Sequence, residues 1–390
     1  MHRFSCCVFA VVLFVLPSIA QTKLAERTVD LTSADGTKLK ASFIPAAKPG
    51  PGVLLLHQCN KDRKIWDPLP QQLAVSGINV LTFDLRNFGE SEGKPQAQLT
   101  PQEAQASAAK WPDDVEAAYQ YLVSQAGVKR DIIGLGGASC GVNNSIQSAM
   151  KHPEVKSLVL LAGPTNLAGR NFLRKSNMPV LYGFADDDEF PETIVETEWL
   201  YELTPNPGKK LVRYPNGGHG AEIFPVHPEF VGMIRDWYVT TLLKTPGRAP
   251  VSKEKPAIPK AATVLGLLDE PGGAAKVSAM LAEERKTDLK ATLFPEATVN
   301  IMGYEHLQAK DTKGAVEILK LNAEAYPNST NVYDSLSDAY LADGQKELAL
   351  VNVKKALEML KTDTTSPQQL RDGIKQSCEQ KLQQLEGKAD

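Results

Sequence analysis

The run Gly137-Ala138-Ser139-Cys140-Gly141 carries the strongest chemical signal in the sequence. It follows an apolar segment, 131–135, that is typical of a strand, and it precedes a helical pattern that starts near Val142. Cleavage of an ester or amide requires a nucleophile, a base and donors for the oxyanion. A serine on a strained strand-to-helix turn, with flanking glycines that leave room for the turn, is typical of such a nucleophile. We therefore expect Ser139 to be the nucleophile.

Cys140 is a rival nucleophile in the same run. A cysteine in this role would need glycines at positions 138 and 142. Ala138 and Val142 stand there instead, so the pattern favours Ser139.

His219 is a candidate base, because it lies among glycines in the run Asn216-Gly217-Gly218-His219-Gly220. This run separates a predicted strand, 210–214, from a predicted helix, 228–243. Glycines on both sides give a loop that can bring the imidazole to a serine. We expect His219 to accept the Ser139 proton and later to donate one to the leaving group.

Three consecutive carboxylates, Asp186-Asp187-Asp188, directly follow the predicted strand 179–184. A carboxylate that fixes the histidine tautomer and stabilises the imidazolium would complete the site. We expect Asp186 to be this acid, with Asp187 as the alternative. A solvated acidic loop or a weak calcium site is the competing interpretation of the run as a whole.

The segments that must position these residues alternate between strand-like and helical patterns. Continuous apolar strands suit a parallel sheet that is covered on both faces, and their alternation with helices predicts a doubly wound α/β sheet. Residues 26–45 predict a hairpin that turns at Ala34-Asp35-Gly36. The other predicted strands are 53–56, 80–83, 131–135, 158–161, 179–184 and 210–214, and the predicted helices lie near 66–76, 112–126, 142–151, 192–203 and 228–243.

Residues 26 to about 244 resemble the α/β-hydrolase superfamily. Gly183-Phe184-Ala185-Asp186 is similar to the G-x-x-D that follows the corresponding strand in that family, and residues 84–91 resemble its D-x-R-x-x-G-x-S loop. Segment 163–178, where large lids are usually inserted, is short, which implies a lidless enzyme similar to dienelactone hydrolases and small acyl esterases. True dienelactone hydrolases use a cysteine nucleophile, so Ser139 makes a dienelactone substrate doubtful.

The resemblance also implies an oxyanion hole made of two backbone N–H groups. One belongs to Cys140, the residue after the nucleophile. The other is assigned to Cys59, because His57-Gln58-Cys59-Asn60 resembles the H-G-x loop of the family, with Gln58 in the glycine position. His57 then positions this loop. Cys59 and Cys140 converge on one site, where they either stay free thiols or pair in an oxidising compartment.

The first twenty residues predict an export signal. His2 and Arg3 precede an apolar stretch, 6–17, that is too short to span a membrane comfortably, and Ser18-Ile19-Ala20 offers a cleavage site. We expect a periplasmic or secreted protein cleaved near Ala20, with an uncleaved anchor as the alternative. We expect no stable membrane insertion elsewhere, because no later segment has the roughly 20 apolar residues that a span needs.

The second part of the sequence is helical and repetitive. Residues 245–260 contain four prolines, so we assign 21–247 to the catalytic domain, 248–262 to a linker and 263–390 to a helical domain. Residues 296–329 and 330–363 align at an offset of 34, which resembles the tetratricopeptide repeat. Two repeats are few, so helices near 276–293 and 367–385 are expected to cap them. A plain helical bundle with an accidental period is the alternative.

The expected activity is hydrolysis of a small carboxylic ester through an acyl-enzyme, with a peptidase or thioesterase as alternatives. Gln58 and Trp66 are candidates for the substrate pocket, as are Asn171 and Phe190, and nothing requires a metal or organic cofactor. A net charge of -3 without a basic, aromatic-rich patch argues against a nucleic-acid partner. The helical repeats predict a protein partner or self-association. The competing interpretation is an inert hydrolase fold that acts as a binding protein through these repeats.

Overall fold

The computed structural model describes residues 23–253 and 255–387, so the predicted export signal lies outside the described residues. A sheet covered by helices is followed by a region made of helices alone. The strands are β1 (Arg27–Thr32), β2 (Lys38–Ile44), β3 (Gly50–Leu56), β4 (Asn79–Phe83), β5 (Val128–Ala138), β6 (Val155–Leu161), β7 (Val180–Ala185) and β8 (Lys210–Tyr214).

The helices that accompany the sheet are α1 (Leu69–Val75), α2 (Pro101–Ala108), α3 (Trp111–Ser124), α4 (Cys140–Lys151), α5 (Leu167–Lys175), α6 (Pro191–Leu203), α7 (Ile223–Val226) and α8 (Pro228–Tyr238). A π-helical segment, Val239–Lys244, continues α8. Those of the second region are α9 (Lys260–Leu268), α10 (Gly273–Glu284), α11 (Glu296–Gln308), α12 (Thr312–Ala325), α13 (Thr330–Ala342), α14 (Lys346–Leu360) and α15 (Gln368–Glu386).

The eight strands form one sheet in the order β1-β2-β4-β3-β5-β6-β7-β8. Strand β2 is antiparallel to both of its neighbours, and all later pairs are parallel. The predicted doubly wound, mostly parallel sheet is thereby confirmed. Because the carboxyl ends of parallel strands meet at one edge of a sheet, the loops after β3, β5, β7 and β8 share that edge.

Strand β3 shows why the sequences of the central strands are continuous apolar runs. Leu54 and Leu56 belong to the core on the face covered by α3 and α4, whereas Val53 and Leu55 belong to the core on the face covered by α1 and α8. All four side chains are fully buried. A strand that is buried on both faces has no polar alternation, so the apolar run itself is the signal.

Four helices were not anticipated from the sequence pattern: α2, α5, α7 and α9. Helix α5 has only nine residues and buries three of them, too few for a clear helical period. Helix α9 begins at Lys260, inside the stretch assigned to the linker. The described positions between Thr245 and Pro259 form neither helix nor strand, and one of them, Ser252, donates its N–H to the Pro207 carbonyl at 3.0 Å.

The helices of the second region recur at the predicted period. Helices α11 and α13 begin 34 residues apart, at positions 296 and 330, and so do α12 and α14, at 312 and 346. Gly303 of α11 lies where α12 crosses closely, because a Cβ there would be 2.4 Å from Leu319 Cγ. The region is helical as predicted, and its likeness to the tetratricopeptide repeat stays a proposal. None of the helices that the structure describes is long and apolar enough to cross a membrane.

The second region packs against the sheet domain. Trp199 of α6 lies in one apolar cluster with residues of α9, α10 and α11. Arg170 of α5 forms ion pairs with Asp269, at 2.8 Å, and with Glu305, at 2.7 Å. These three side chains are largely buried, so the contact between the two parts combines apolar burial with paired charges. We call residues 27–244 the sheet region and residues 260–386 the helical region.

Candidate active site

Ser139 occupies the turn between β5 and α4. Its backbone has φ 53° and ψ −120°, a conformation that is strained for a residue with a side chain and that is characteristic of a nucleophile on such a turn. Its N–H donates to the Leu161 carbonyl at 2.8 Å, which ties the turn to β6. The structure therefore places Ser139 at the sheet edge where the site was expected.

Glycines surround this turn because backbone segments approach each other closely. A Cβ at Gly137 would lie 2.1 Å from the Gly141 carbonyl oxygen, and one at Gly141 would lie 2.5 Å from the Leu56 carbonyl oxygen. A Cβ at Gly163, after β6, would lie 2.3 Å from the Ser139 carbonyl oxygen. All three are shorter than any tolerated contact, so the turn requires glycine at each position.

His219 is held by a carboxylate. Its Nδ1 lies 2.8 Å and 3.0 Å from the two carboxylate oxygens of Asp188, and both side chains are almost fully buried. An ionised carboxylate only accepts hydrogen bonds, so Nδ1 carries the proton and Nε2 is the basic nitrogen. This is the tautomer that a histidine needs in order to take a proton from a serine.

Asp188 is oriented by two further donors. The Phe190 N–H donates to its Oδ1 at 2.9 Å, and the Thr193 hydroxyl lies 3.1 Å from its Oδ2. The Phe190 ring meets the His219 ring edge-on, with centroids 4.9 Å apart. Phe190, one of the candidate pocket residues, is therefore a neighbour of the imidazole.

The structure contradicts the prediction of Asp186, or alternatively Asp187, as the acid, because the carboxylate hydrogen-bonded to His219 is that of Asp188. Asp186 is partly exposed and pairs with Arg213 at 2.6 Å, and Asp187 accepts the Gly218 N–H at 2.9 Å. The Asp188 N–H donates to the Ala185 carbonyl at 3.3 Å, so a turn after β7 brings the third carboxylate inward. The sequence offers no signal that distinguishes three adjacent aspartates, because the position at which β7 ends determines which of them turns toward His219.

Gln58 links the histidine loop to the loop after β3. Its Oε1 accepts the Ala221 N–H at 3.0 Å, and its Nε2 donates to the His219 carbonyl at 3.3 Å. Gly220, which lies between His219 and Ala221 in the sequence, packs against β5, since a Cβ at Gly220 would be 3.3 Å from the Ala138 Cβ. The residue after His219 is thus held next to Ala138, which precedes Ser139.

The predicted pocket roles of Gln58 and Trp66 are not supported by their positions. Both side chains are fully buried. Gln58 uses its amide within the protein, and Trp66 packs in the core against Phe224, with ring centroids 5.9 Å apart. A substrate reaches neither of them. Asn171, the remaining candidate, is an exposed residue of α5.

Cys59 and Cys140 form a disulfide, with their Cα atoms 5.9 Å apart. The structure thereby decides between the two alternatives of free thiols and pairing. Cys140 is the first residue of α4, where N–H groups have no acceptor within the helix. The bridge holds together the two residues whose N–H groups are expected to form the oxyanion hole.

His57 is a positioning residue. It is completely buried, its Nδ1 lies 2.8 Å from the Gln58 carbonyl oxygen, and its Nε2 accepts the Leu85 N–H at 3.1 Å. Burial lowers the pKa of His57, and the bond to the Gln58 carbonyl opposes this only in part. A neutral His57 therefore fastens the Cys59 loop to the loop after β4.

A cavity of about 500 Å³ begins beside Cys140. No lid is inserted between β6 and β7, as predicted, but the site is not open on this side, because α11 of the helical region forms one wall. The lining residues include Trp111, Cys140, Asn143, Arg170, Glu196, Trp199, Leu200, Thr298, Ile301, Met302 and Glu305. Within the described ranges 23–253 and 255–387, no three His, Cys, Asp or Glu side chains are placed to hold a metal ion.

Comparison with known proteins supports the assignment of the fold. A family profile described as alpha/beta hydrolase fold matches residues 51–186. The thiohydrolase aneE of Aspergillus aculeatus is 30% identical over 132 residues, which cover 34% of this chain and 39% of the relative. The acyltransferase drtE of Aspergillus calidoustus is 28% identical over 146 residues, which cover 37% and 45%. The chain therefore spans less than half the length of either relative.

Solved structures are similar to part of this chain. The match to the Pyrococcus furiosus esterase Pf2001 covers 56% of this chain and 93% of the esterase, with a TM-score of 0.46 and 20% identity. A dienelactone hydrolase from Anabaena variabilis covers 57%, with all of its own length, a TM-score of 0.44 and 19% identity. The strand order, the strained serine turn and the matching family profile together lead to one conclusion: the sheet region of this chain has the α/β-hydrolase fold.

Proposed function

We propose that this protein is a serine hydrolase that cleaves carboxylic esters, with Ser139 as nucleophile, His219 as base and Asp188 as the supporting acid. One observation carries the proposal: a buried carboxylate holds His219 in the required tautomer, in a loop at the sheet edge that also carries a serine on a strained turn. Such an arrangement keeps Nε2 basic and pointing away from Asp188. The residue after His219, Gly220, packs against Ala138, which precedes that serine.

The proposed reaction passes through an acyl-enzyme. Ser139 Oγ attacks the ester carbonyl while His219 Nε2 takes its proton, and the same proton then passes to the leaving alcohol. The N–H groups of Cys59 and Cys140 bind the oxyanion, and the disulfide between the two residues keeps the donors in register. Water, activated by His219, then releases the acid and restores Ser139.

The names of two relatives bear on the reaction. One is called a thiohydrolase and the other an acyltransferase, and in acyl transfer the bond between the carbonyl carbon and the leaving group breaks while the acyl group passes to an acceptor. A triad of this kind serves esters, thioesters and amides alike. We propose oxygen esters as the substrate, with thioesters as the second candidate on the basis of the thiohydrolase relative.

The protein is proposed to work outside the cytosol. The disulfide between Cys59 and Cys140 supports this location, because such bonds persist in oxidising compartments and are rare in reducing ones. The helical region is proposed to hold a partner protein or a second copy through its repeated helix pairs.

Pre-steady-state hydrolysis of p-nitrophenyl acetate tests the proposed function. We expect a burst of p-nitrophenol equal to the enzyme concentration, followed by slower turnover, because the acyl-enzyme accumulates. Ser139→Ala should lose both phases, whereas Ser124→Ala, at an exposed position at the end of α3, should keep them. A folded wild-type protein with neither burst nor turnover on any acyl ester would overturn the proposal.

A further inference from the structure

We propose that the cavity beside Cys140 binds the acyl chain of the substrate, and that α11 of the helical region sets the length of chain that fits. This inference rests on the proposed function and names its substrate class: esters of medium-length, apolar acids. The helical region then takes part in substrate selection, in addition to any partner that it binds.

The cavity adjoins the turn that carries Ser139, although Ser139 and His219 are not themselves among its lining residues. Cys140, whose N–H is assigned to the oxyanion hole, forms part of its wall, as do Pro164 and Thr165 after β6. Gly163, the preceding residue, packs directly on the Ser139 backbone. An acyl group attached to Ser139, with its oxygen at the Cys140 N–H, therefore has the cavity next to its carbonyl carbon.

The walls are mainly apolar. Trp111 contributes from α3, and Trp199 and Leu200 contribute from α6. Ile301 and Met302 of α11 contribute from the helical region. A volume of about 500 Å³ lies within the range of pockets that bury small ligands.

Most of the polar groups in the wall are already hydrogen-bonded to one another. Asn143 Oδ1 accepts the Thr165 hydroxyl at 2.9 Å. Gln147 Nε2 donates to Asn166 Oδ1 at 3.0 Å, and the Thr298 hydroxyl donates to Glu196 at 3.2 Å. Side chains that satisfy one another offer little to a polar ligand, whereas an apolar chain gains from the burial of its surface.

Two indole N–H groups in the wall have no hydrogen-bond partner among the described residues, those of Trp111 and Trp199. Trp199 Nε1 faces α9, since a Cβ at Gly266 would lie 3.6 Å from it. Trp111 Nε1 is also buried, so neither indole N–H is exposed to a ligand in the cavity. The wall is accordingly better matched to an alkyl chain than to a sugar or a charged acid.

The α11 wall is tied to the sheet region by two polar contacts. Arg170 of α5 holds Glu305 at 2.7 Å, and Glu196 of α6 accepts the Thr298 hydroxyl. Both contacts join the sheet region to α11 on either side of Ile301 and Met302. The position of α11 therefore limits the cavity on this side, so the length of the acyl chain should affect catalysis.

Ile301→Trp tests the proposal, because residue 301 lines the cavity and is 57% exposed, so a larger side chain is tolerated by the fold. We expect wild type to prefer p-nitrophenyl octanoate over the acetate, and Ile301→Trp to lower the octanoate-to-acetate ratio of kcat/KM by about 10-fold or more. Val351→Trp, on the exposed surface of α14, should keep the wild-type ratio. An unchanged ratio in folded Ile301→Trp would overturn the proposal.

A binding measurement keeps this test separate from the proposed function. Calorimetric titration of Ser139→Ala with octanoate should show saturable binding that Ile301→Trp, added to the same variant, weakens by about 10-fold. Binding of this kind without any ester hydrolysis in the wild type would support the cavity and reject the enzyme. Hydrolysis of short esters together with an absence of octanoate binding would reject the cavity and leave the enzyme standing.

Discussion

At the scale of single residues, the site depends on which carboxylate reaches His219. Asp188 is almost fully buried and accepts hydrogen bonds from the imidazole, a backbone N–H and a hydroxyl. Asp186, two residues earlier, lies at the surface in an ion pair with Arg213. Adjacent residues of the same type thus have opposite environments, because one turn after β7 rotates them to different sides.

Asp188→Asn should lower kcat for p-nitrophenyl acetate by about 10³- to 10⁴-fold, since an amide no longer enforces the Nδ1–H tautomer. Asp186→Asn is the matched control and should stay within about 2-fold of wild type, because loss of a partly exposed ion pair costs little. Steady-state kinetics at one pH distinguishes the two variants. A large loss in Asp186→Asn together with near-normal Asp188→Asn would reverse the assignment.

Reduction of the disulfide should impair catalysis without unfolding the sheet. Loss of one oxyanion donor costs about 10²- to 10³-fold, so partial loss of register between Cys59 and Cys140 should lower kcat by about 10- to 100-fold. The measurement is p-nitrophenyl acetate hydrolysis before and after treatment with a phosphine reductant, with thiol titration to follow the bridge. The double variant Cys59→Ser, Cys140→Ser should have the lower kcat from the start, and the reductant should not change it. Full activity after complete reduction would remove the bridge from the mechanism.

The sequence predicted Ser139 and His219 at the positions that the structure brings to one edge, and it missed Asp188. The first two stand alone between glycines, so their pattern is distinctive. Asp188 belongs to a run of three aspartates, and only the position at which β7 ends determines which of them faces His219. Gln58 and Trp66 were misplaced for a related reason: the sequence gives the position of a polar or aromatic residue along the chain, but it does not show that the side chain turns into the core.

At the scale of elements, the sheet was predictable because its strands are apolar on both faces. The helices α5 and α9 were not, because each is short and takes its stability from neighbours distant in sequence. Arg170 of α5, for example, pairs with Asp269 at the end of α9, 99 positions later. Short helices held by such contacts carry little local signal.

Helices α11 and α12 cross closely at Gly303. Gly303→Val should destabilise the helical region by about 1–3 kcal/mol, because a side chain there collides with Leu319. Gly373→Ala in α15 is the control, since a Cβ at that position meets nothing within 4 Å, and it should be neutral or stabilising by up to about 1 kcal/mol. Thermal unfolding with hydrogen exchange across α11 and α12 measures both. Equal stability of the two variants would contradict the close crossing.

At the scale of the whole molecule, the two regions are joined by a buried cluster of charges. Arg170 and Arg174 face Asp269 and Glu305, so two positive and two negative groups balance. Burial alone would lower the pKa of Arg170, but the two carboxylates outweigh it and raise that pKa. Glu196 lies close by as a fifth group, and its ionisation would add an unbalanced negative charge.

The stability of the interface should accordingly fall as pH rises. Burial raises the pKa of Glu196 to about 7; the Thr298 hydroxyl and Arg170 oppose the shift, and Glu192 and Glu305 reinforce it. Because the folded pKa lies above the unfolded value, the stabilisation is complete below about pH 4.5 and is lost as pH passes through about 7. The contribution amounts to at most about 3 to 4 kcal/mol.

Denaturant unfolding at pH 5.5 and 8.5 measures this dependence. Glu196→Gln stays neutral and should remove part of the pH-dependent loss, and Glu198, whose pKa burial also raises to about 7, should account for another part. Glu358→Gln, on the exposed surface of α14, should retain the whole loss. An identical decline with pH in wild type and Glu196→Gln would show that other groups control the interface.

Ser139 is proposed to be an activated nucleophile, and covalent labelling with a fluorophosphonate probe measures this property. We expect one label per folded chain, carried by the peptide that contains Ser139, with none in Ser139→Ala. Labelling should be strongly slowed in Asp188→Asn and unchanged in Asp186→Asn, because the probe reacts only with a serine whose proton is taken by the histidine. Absence of label on the folded wild type, or a label that persists in Ser139→Ala, would contradict this role of Ser139.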